Sequence, residues 1–331
     1  MRSRATFVEL LCGSLISPEG WVTRAISAIT RGRHWTTYCN LLERGSLRTL
    51  RIPQALFELV ASVLPAAILN LVIDDTLVPR QSEGAPGSAM RHDHARKTNR
   101  PQFLQAQCWV TLGVSVLGSG GRKYVLPMVS RLVPVAGNRN KLTIALALVR
   151  GLAPVMRNKP VRILFDAWFM RARLVLPLLS RKMRVIGQAR RDTALFLPPV
   201  VVLKPGRGRP RTYGVKMTPD AIRALPVTEL KLTLYGQEQL IRLRTVVAMA
   251  RFLKGTPVRA VWCSFYDADK QRWSRARLLL ATETELCAAE ILRLYARRWG
   301  IEPLFHNLKC WWGVNNLWQQ KRIVLELWMQ I

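Results

Sequence analysis

The sequence predicts a mixed α/β fold, in which a helical N-terminal segment precedes a sheet-containing core and a β-rich insertion interrupts that core. Three observations support this prediction. Apolar residues recur at helical spacing over residues 1–65. Strand and helix patterns then alternate over residues 66–192. Short β-branched runs separated by glycine, proline and arginine turns fill residues 193–282, and helical spacing returns over residues 283–331.

The N-terminal segment is predicted to be helical throughout. Ser17-Pro18-Glu19 and Ile52-Pro53-Gln54 carry proline near the first turn, which is typical of helix starts. Arginines recur along the segment, among them Arg24, Arg31, Arg33, Arg44, Arg48 and Arg51. A small DNA-binding domain and a solvated helical face explain these arginines equally well, and both interpretations stay open.

Residues 66–192 are predicted to follow the order strand, strand, strand, helix, strand, helix, strand. The predicted strands are Ile68–Asp75, Phe103–Leu117, Tyr124–Val133, Val161–Phe165 and Arg184–Gly187, with one helix over residues 140–156 and another ending near residue 181. Gly118-Ser119-Gly120-Gly121 is a strong hairpin signal between the second and third strands. Residues 80–102, rich in glycine, serine, histidine and arginine, are predicted to form a loop.

The charge balance indicates a polyanionic partner. Of 331 residues, 51 are lysine or arginine and 20 are aspartate or glutamate, which gives a formal net charge of +31. A field of this size attracts nucleic acid and makes a basic but otherwise ordinary enzyme the less favoured interpretation. The basic residues are spread along the whole chain rather than over one amphipathic helix, which argues against a membrane surface.

Cysteine usage and the length of apolar runs predict a cytoplasmic protein. The six cysteines form neither a C-x-x-C pair nor a regular framework, so zinc and disulfide interpretations are weak and a reducing compartment is expected. No apolar stretch reaches membrane-spanning length. Glu9 interrupts the apolar part of the N-terminus, which is therefore interpreted as a first helix rather than a signal peptide.

Acidic residues stand at the ends of two of the predicted strands. Asp74-Asp75-Thr76 follows the apolar run Leu71–Ile73, and Asp166 follows Val161–Phe165. A carboxylate buried near another carboxylate is costly unless a cation compensates for it. Acids that converge despite this cost indicate a divalent metal site, because such ions prefer carboxylate oxygens.

A third acid, Glu302, lies in a helix that is predicted to be interrupted. Thr282-x-x-Glu285 is a capping-box signal for the start of this helical region. Gly300 and Pro303 interrupt the helical pattern, and the proline also removes a backbone hydrogen bond. The sequence therefore predicts a kink, with Glu302 near the start of the second helical piece.

The surroundings of Glu302 resemble a known signature. The spacing Tyr295-x2-Arg298-x3-Glu302-x6-Lys309 matches, at all four positions, the tyrosine–arginine–glutamate–lysine signature of bacterial insertion-sequence transposases with an aspartate–aspartate–glutamate (DDE) triad. Asp74-Asp75-Thr76 and Leu164–Trp168 resemble the two aspartate motifs of that family, and the order of motifs is similar from about Leu69 to Lys309.

The resemblance implies a ribonuclease-H-like catalytic core in which Asp75, Asp166 and Glu302 bind two Mg²⁺ or Mn²⁺ ions. Asp75 is 91 residues before Asp166, which is 136 residues before Glu302, and these spacings fit the layout of the family. Asp74 is the alternative first ligand. Asp75 is preferred because it directly precedes Thr76, as in the family motif.

The same resemblance implies the partners. Tyr295, Arg298 and Lys309 would hold the phosphates of the transposon end, and the substrates would be double-stranded DNA at the transposon ends and at the target. A homodimer or higher oligomer is expected in the synaptic complex, without membrane contact and in the bacterial cytoplasm at the nucleoid. The chain ends 22 residues after Lys309, so a compact or shortened member is expected.

Two further motifs are interpreted as parts of basic loops. Arg207-Gly208-Arg209-Pro210-Arg211 is similar to an AT-hook core, but a basic loop that contacts phosphates through Arg207, Arg209 and Arg211 without selectivity is the favoured interpretation. His92-Asp93-His94 lacks further ligands at a suitable spacing and is interpreted as part of a basic loop rather than a metal site.

The function predicted from these residues is metal-dependent phosphodiester hydrolysis followed by strand transfer at transposon ends. Two alternatives stay open. One is a nuclease of the same fold that lacks strand transfer, and the other is a catalytically dead or shortened remnant that only binds DNA.

Overall fold

A computed structural model describes residues 2–45, 50–64, 67–93, 101–136, 140–200 and 211–331. The helices are α1 (Arg2–Ile16), α2 (Val22–Ser27), α3 (Trp35–Arg44), α4 (Arg51–Val63), α5 (Lys141–Met156), α6 (Ala172–Leu179), α7 (Pro219–Ala224), α8 (Ala288–Ala296), α9 (Ile301–Cys310) and α10 (Arg322–Trp328). The strands are β1 (Leu69–Pro79), β2 (Ser88–His92), β3 (Phe103–Leu117), β4 (Lys123–Leu132), β5 (Val161–Phe165), β6 (Arg184–Ala189), β7 (Leu195–Phe196), β8 (Thr228–Leu234), β9 (Gln237–Ala250), β10 (Pro257–Asp267), β11 (Arg272–Trp273) and β12 (Arg277–Ala281).

The described strands form one mixed 12-stranded sheet, which confirms the predicted mixed α/β class. Its main order is β2-β3-β1-β5-β6-β12-β10-β9-β7, while β4, β8 and β11 pair with β3, β9 and β10. The pairs β1–β5 and β5–β6 are parallel, and β12 continues the sheet antiparallel to β6. The strands of the predicted insertion therefore extend the same sheet as the core strands.

Helices cover both faces of the centre of the sheet. All five residues of β5 are buried, as expected for a central parallel strand with covered faces. On one face, Ile73 and Phe165 share a core with residues of α4, α5 and α6. On the other face, Val72 and Leu164 share a core with residues of α8 and α9. Alternate residues of β1 thus point to different helical layers.

The N-terminal helices pack against the C-terminal end of the chain. Leu10 of α1 and Tyr38 of α3 are fully buried in a third core together with Trp109 and Leu132 of the sheet and Trp328 of α10. The Trp328 indole donates a hydrogen bond of 2.9 Å to the carbonyl of Gly20. The predicted helical character of this segment is confirmed by α1 to α4.

Several predicted elements are confirmed, while the end of β1, the start of α8 and the loop that contains β2 differ from the prediction. The hairpin of β3 and β4 is found as predicted. The predicted helix break before α9 is also found, and it takes the form of a 3-10 turn over Arg297–Gly300. Strand β1 continues past Asp75 to Pro79 because β3 pairs with it up to Ala106. Strand β2 forms within the predicted loop because it pairs with the first residues of β3. Helix α8 begins at Ala288 rather than near the predicted capping box.

Among the helices of the described residues, none is both long enough and apolar enough to cross a membrane.

Candidate functional site

Strand β1 presents two adjacent acids to opposite sides of the sheet. Ile73 is paired with Phe165 in the parallel β1–β5 register, so Asp74 lies level with Asp166, the first residue after β5. Successive side chains of a strand alternate, and Asp74 therefore follows Val72 toward the α8–α9 layer. Asp75 follows Ile73 toward the layer that contains α5.

Arg298 joins the acids on the α8–α9 side. Its Nη1 donates to Oδ2 of Asp74 at 2.7 Å, and its Nη2 donates to Oε1 of Glu302 at 3.0 Å. Arg298 lies in the 3-10 turn and Glu302 in the first turn of α9, four residues later. The predicted spacing therefore produces an ion pair within the helical segment, and the same guanidinium reaches across to β1.

The electrostatics of Asp74 and Asp166 are those of acids crowded together under partial burial. Burial raises the pKa of Asp74 to about 7, with further increases from Asp166 and Asp75, while Arg298 opposes the shift. Burial also raises the pKa of Asp166, although its Oδ1 accepts backbone N–H groups of Trp168 at 2.9 Å and Phe169 at 3.3 Å. Both acids are therefore held close enough to influence each other.

Tyr295 packs its ring against the guanidinium of Arg298. The side chain of Tyr295 is buried in the core shared with α9, and the Arg298 guanidinium lies 5.8 Å from the centre of its ring. Burial alone would lower the pKa of Arg298, but Tyr295, Asp74 and Glu302 raise it above its ordinary value. A phosphate contact by Tyr295, expected from the signature, stays a prediction.

Asp75 forms an ion pair with Lys141 rather than with Arg298. Its Oδ2 accepts a hydrogen bond of 2.6 Å from Nζ of Lys141, the first residue of α5, and Sγ of the buried Cys108 lies 3.5 Å away. Nζ of Lys141 also lies 4.9 Å from the centre of the Trp168 ring. No motif in the sequence singled out Lys141, because its pairing with Asp75 depends on how α5 packs on the sheet.

A groove of about 620 Å³ runs along the exposed end of β1, and we call it the β1 groove. Beyond Ile73, β1 has no pairing with β5, so this edge is open to the groove. Residues lining the groove include Asp75, Arg91, Lys141, Glu302 and Lys309. The groove thus gathers two of the predicted metal ligands, one predicted phosphate-binding lysine, Arg91 of the predicted basic loop, and Lys141, which was not predicted.

The carboxylate donors suit a divalent ion, but cations of the chain itself lie at three of these acids. Carboxylate oxygens are the ligands that Mg²⁺ prefers. Arg298 stands between Asp74 and Glu302, and Lys141 is bound to Asp75. Within the described ranges, no group of three or more histidine, cysteine or acidic side chains is placed to hold a metal ion. A metal would have to replace these cations at the carboxylates.

Some of the other predicted residues lie outside the described chain, whereas His92 lines the β1 groove with Asp93. Arg207, Arg209 and His94 lie outside the residues that the structure describes. Arg211 is exposed, and His92 lies against Phe103, with ring centres 5.0 Å apart.

The tip of the β8–β9 hairpin was not predicted to contribute to the site. Tyr235 at this tip packs edge-on against Trp299, the neighbour of Arg298, with ring centres 6.0 Å apart. Trp299 is 46% exposed.

A large mixed sheet with acids gathered where two parallel strands end is consistent with an α/β nuclease. The chain matches the family described as DDE superfamily endonuclease over residues 2–244, and the protein belongs to this family. Family membership identifies a nuclease-type enzyme that acts on DNA, and enzymes of this superfamily normally use divalent metals. The match includes Asp74, Asp75 and Asp166 and ends before Glu302. No curated protein matches the chain.

Proposed function

We propose that the protein is a DNA transposase of a bacterial insertion sequence. It would hydrolyse a phosphodiester bond at the transposon end and join the freed 3′-hydroxyl to target DNA. The observation that carries the proposal is the gathering of Asp74, Asp166 and Glu302 around Arg298. Membership of the endonuclease family supports the hydrolytic step, and the transposase signature around Glu302 favours the strand-transfer step.

In this proposal residues 66–192 and 283–331 form a ribonuclease-H-like core. Residues 193–282 are its β-rich insertion, and residues 1–65 are a helical segment that contacts DNA. The parallel strands β1, β5 and β6, with β3 antiparallel beside β1, support this assignment of the core. The expected assembly is a homodimer or higher oligomer that holds two transposon ends in the bacterial cytoplasm, at the nucleoid.

Two Mg²⁺ or Mn²⁺ ions are the proposed cofactors, held by Asp166, Glu302 and one of the two adjacent aspartates. When bound, such ions stabilise the negative charge that develops on the phosphate. The contacts favour Asp74 as the first ligand, because it lies level with Asp166 and shares Arg298 with Glu302. Asp75, which the sequence motif favours, is the alternative and is held by Lys141.

Arg298 and Lys309 are the proposed phosphate-binding residues of the signature, and Tyr295 would position Arg298. In the structure Arg298 neutralises two acids, and once these bind metal its guanidinium would be available to a phosphate. A planar guanidinium suits both roles because its donors can pair with a carboxylate or with a phosphate in the same fork geometry.

Cleavage of a DNA duplex that carries the element's terminal repeats tests the proposal. Glu302→Gln and Asp166→Asn are each expected to lower Mg²⁺-dependent cleavage by more than about 100-fold, since losing a ligand should cost at least as much as losing its hydrogen-bonded support. Both variants should keep most of their DNA affinity. Glu285→Gln changes an exposed glutamate in the turn before α8 and serves as the matched control. Full activity of Glu302→Gln would rule out the assigned site.

A joining assay on the same DNA separates a transposase from a nuclease and from a remnant that only binds DNA. A duplex that already ends in a free 3′-hydroxyl should be joined to target DNA by a transposase, while a nuclease would cut but not join, and a remnant would only bind. Asp74→Asn is expected to abolish cleavage as Glu302→Gln does, with a smaller loss for Asp75→Asn. The reverse order would assign the first ligand to Asp75.

A further inference from the structure

Arg91 of β2 has hydrogen-bond donors that the fold leaves unused. Its Nε and Nη2 atoms are buried, and no residue in the described parts of the chain accepts a hydrogen bond from either atom. A guanidinium carries five N–H donors and no acceptor, and buried polar groups are almost always paired. Two unused donors on one partly exposed side chain therefore need an acceptor other than the residues that the structure describes.

The position of Arg91 indicates which molecule could accept hydrogen bonds from its two unused donors. Arg91 lines the β1 groove together with Asp75 and Glu302. It pairs with Leu104 of β3, while Asp75 pairs with Val110, six positions further along the same strand. Because the two β3 positions differ by an even number, the side chains of Arg91 and Asp75 leave the same face of the sheet.

The spacing along β3 favours a phosphate other than the one at the acids as the partner of Arg91. Six strand residues correspond to about 20 Å, and B-form DNA rises about 3.4 Å per nucleotide of one strand. Even after the reach of the arginine side chain is subtracted, Arg91 would meet a phosphate several nucleotides from the one at Glu302. Turning its guanidinium toward the groove breaks no hydrogen bond to a described residue at Nε or Nη2.

We propose that Arg91 is a substrate-binding residue that holds a backbone phosphate of the DNA strand in the β1 groove, several nucleotides from the reacting phosphate. This inference rests on the proposed function, which places a DNA strand at the acids. It assigns β2 a role in the enzyme, as the strand that tracks DNA entering the site. A phosphate offers several oxygen acceptors, which suits the bidentate geometry of a guanidinium.

Salt-dependent DNA binding of the full chain tests this assignment. Arg91→Gln is expected to weaken binding of a terminal-repeat duplex by about tenfold, the size expected for a hydrogen bond to a charged group. The slope of log affinity against log salt should fall in magnitude by about 0.9, the contribution of one phosphate contact. KM for DNA should rise while kcat stays the same. Arg157→Gln is the control, because this exposed arginine lies at the opposite end of the sheet, before β5.

Neutral methylphosphonate linkages, placed one at a time in the duplex, identify the contact. A neutral linkage at one position, several nucleotides from the cleavage point, should weaken DNA binding by the wild type. The same linkage should have little further effect on DNA binding by Arg91→Gln. Arg91→Lys, which keeps the charge, should retain an intermediate affinity and the full salt slope. Thermal unfolding monitors the fold, and if Arg91→Gln does not fold, the comparison is made between wild type and Arg91→Lys.

These experiments test the role of Arg91 separately from the proposed function. Wild-type cleavage together with an unchanged salt slope, KM and methylphosphonate pattern in Arg91→Gln, or an unchanged affinity in Arg91→Lys, would overturn the role of Arg91 and leave the proposed function standing. A wild type that neither binds nor cleaves terminal-repeat DNA would overturn both.

Discussion

At the scale of single residues, Arg298 explains how acids can gather in this site. The largely buried Asp74 and the exposed Glu302 carry like charges close to the same site, which is unfavourable unless a cation lies between them. One arginine meets this need for both, because its two terminal nitrogens point to different carboxylates. A lysine at the same position would offer a single point charge and could not span the gap in the same way.

The raised pKa of Asp74 predicts a pH-dependent stability of the metal-free protein. The pKa is about 7 in the folded protein, against an ordinary value of 3.8 in an unfolded chain. The folded state therefore binds the proton more tightly. The stability contributed by this proton is complete below pH 3.8 and is lost as the pH rises through about 7. Between pH 5 and pH 8 the stability of Asp74→Asn relative to the wild type should therefore rise by about 2 to 4 kcal/mol.

Denaturant unfolding at pH 5 and pH 8 with a chelator present measures this difference. Asp192→Asn changes an exposed aspartate in the turn after β6 and should leave the wild-type pH dependence intact. If Asp74→Asn shows the same loss of stability as the wild type between the two pH values, burial of Asp74 is not its source.

The acids themselves could be predicted from the sequence, but their pairing could not. The four-residue spacing of Arg298 and Glu302 predicts their contact because such residues are neighbours on a helix. The contact between Arg298 and Asp74 joins residues 224 positions apart and depends on the packing of α8 and α9 against the sheet. A motif also cannot decide between Asp74 and Asp75, whereas the register of β1 with β5 gives them different surroundings.

At the scale of elements, a buried ion pair holds the central strands together at the end opposite the acids. Nε and Nη2 of Arg162 in β5 donate to the two carboxylate oxygens of Glu283 at 2.5 and 2.6 Å. Arg184 of β6 donates to the same carboxylate at 3.0 Å, and Asn70 of β1 accepts from Arg162 at 3.1 Å. The network thus joins β1, β5 and β6 to the segment that follows β12.

Glu283→Gln is predicted to destabilise the protein strongly. The variant removes the charge opposite Arg162, which is only 4% exposed, and an unpaired buried charge typically costs about 3 to 5 kcal/mol. Glu229→Gln is the control, because Glu229 pairs with Arg242 at the surface and such pairs contribute less than about 1 kcal/mol. Denaturant unfolding measures both variants, and equal effects would show that burial does not decide the strength of this pair.

Elements with a strong local signal were predicted well, and those that depend on a partner strand were not. Strand β5 is mostly apolar, the β3–β4 hairpin has a glycine-rich turn between two largely apolar strands, and both are found as predicted. Strand β2 has a polar sequence, Ser88–His92, and forms because β3 extends beyond β1 and β4 and offers it hydrogen bonds. The continuation of the sheet from β6 to β12 is likewise a long-range pairing without a local signal.

At the scale of the whole molecule, the predicted domains share cores. Val125 of the β3–β4 hairpin lies in one core with Leu232 and Ile241 of the predicted insertion and Ile291 of α8. The net charge of +31 is therefore carried on a continuous body, so that DNA can contact several of these segments at once.

This shared packing predicts that residues 66–331 will not fold without the N-terminal helices. Removing residues 1–65 would expose Trp109 and Leu132, which are fully buried, together with much of the apolar face of α10. Each large side chain returned to water costs about 1.5 to 3 kcal/mol, and several such losses exceed the 5 to 15 kcal/mol that stabilises a typical protein. We therefore expect the fragment to aggregate or to lose cooperative unfolding in circular dichroism and size-exclusion experiments. Adding the separate 1–65 peptide during refolding should restore part of the native signal. A soluble fragment with a cooperative thermal transition would instead show that residues 66–331 form a core that is stable without the N-terminal helices.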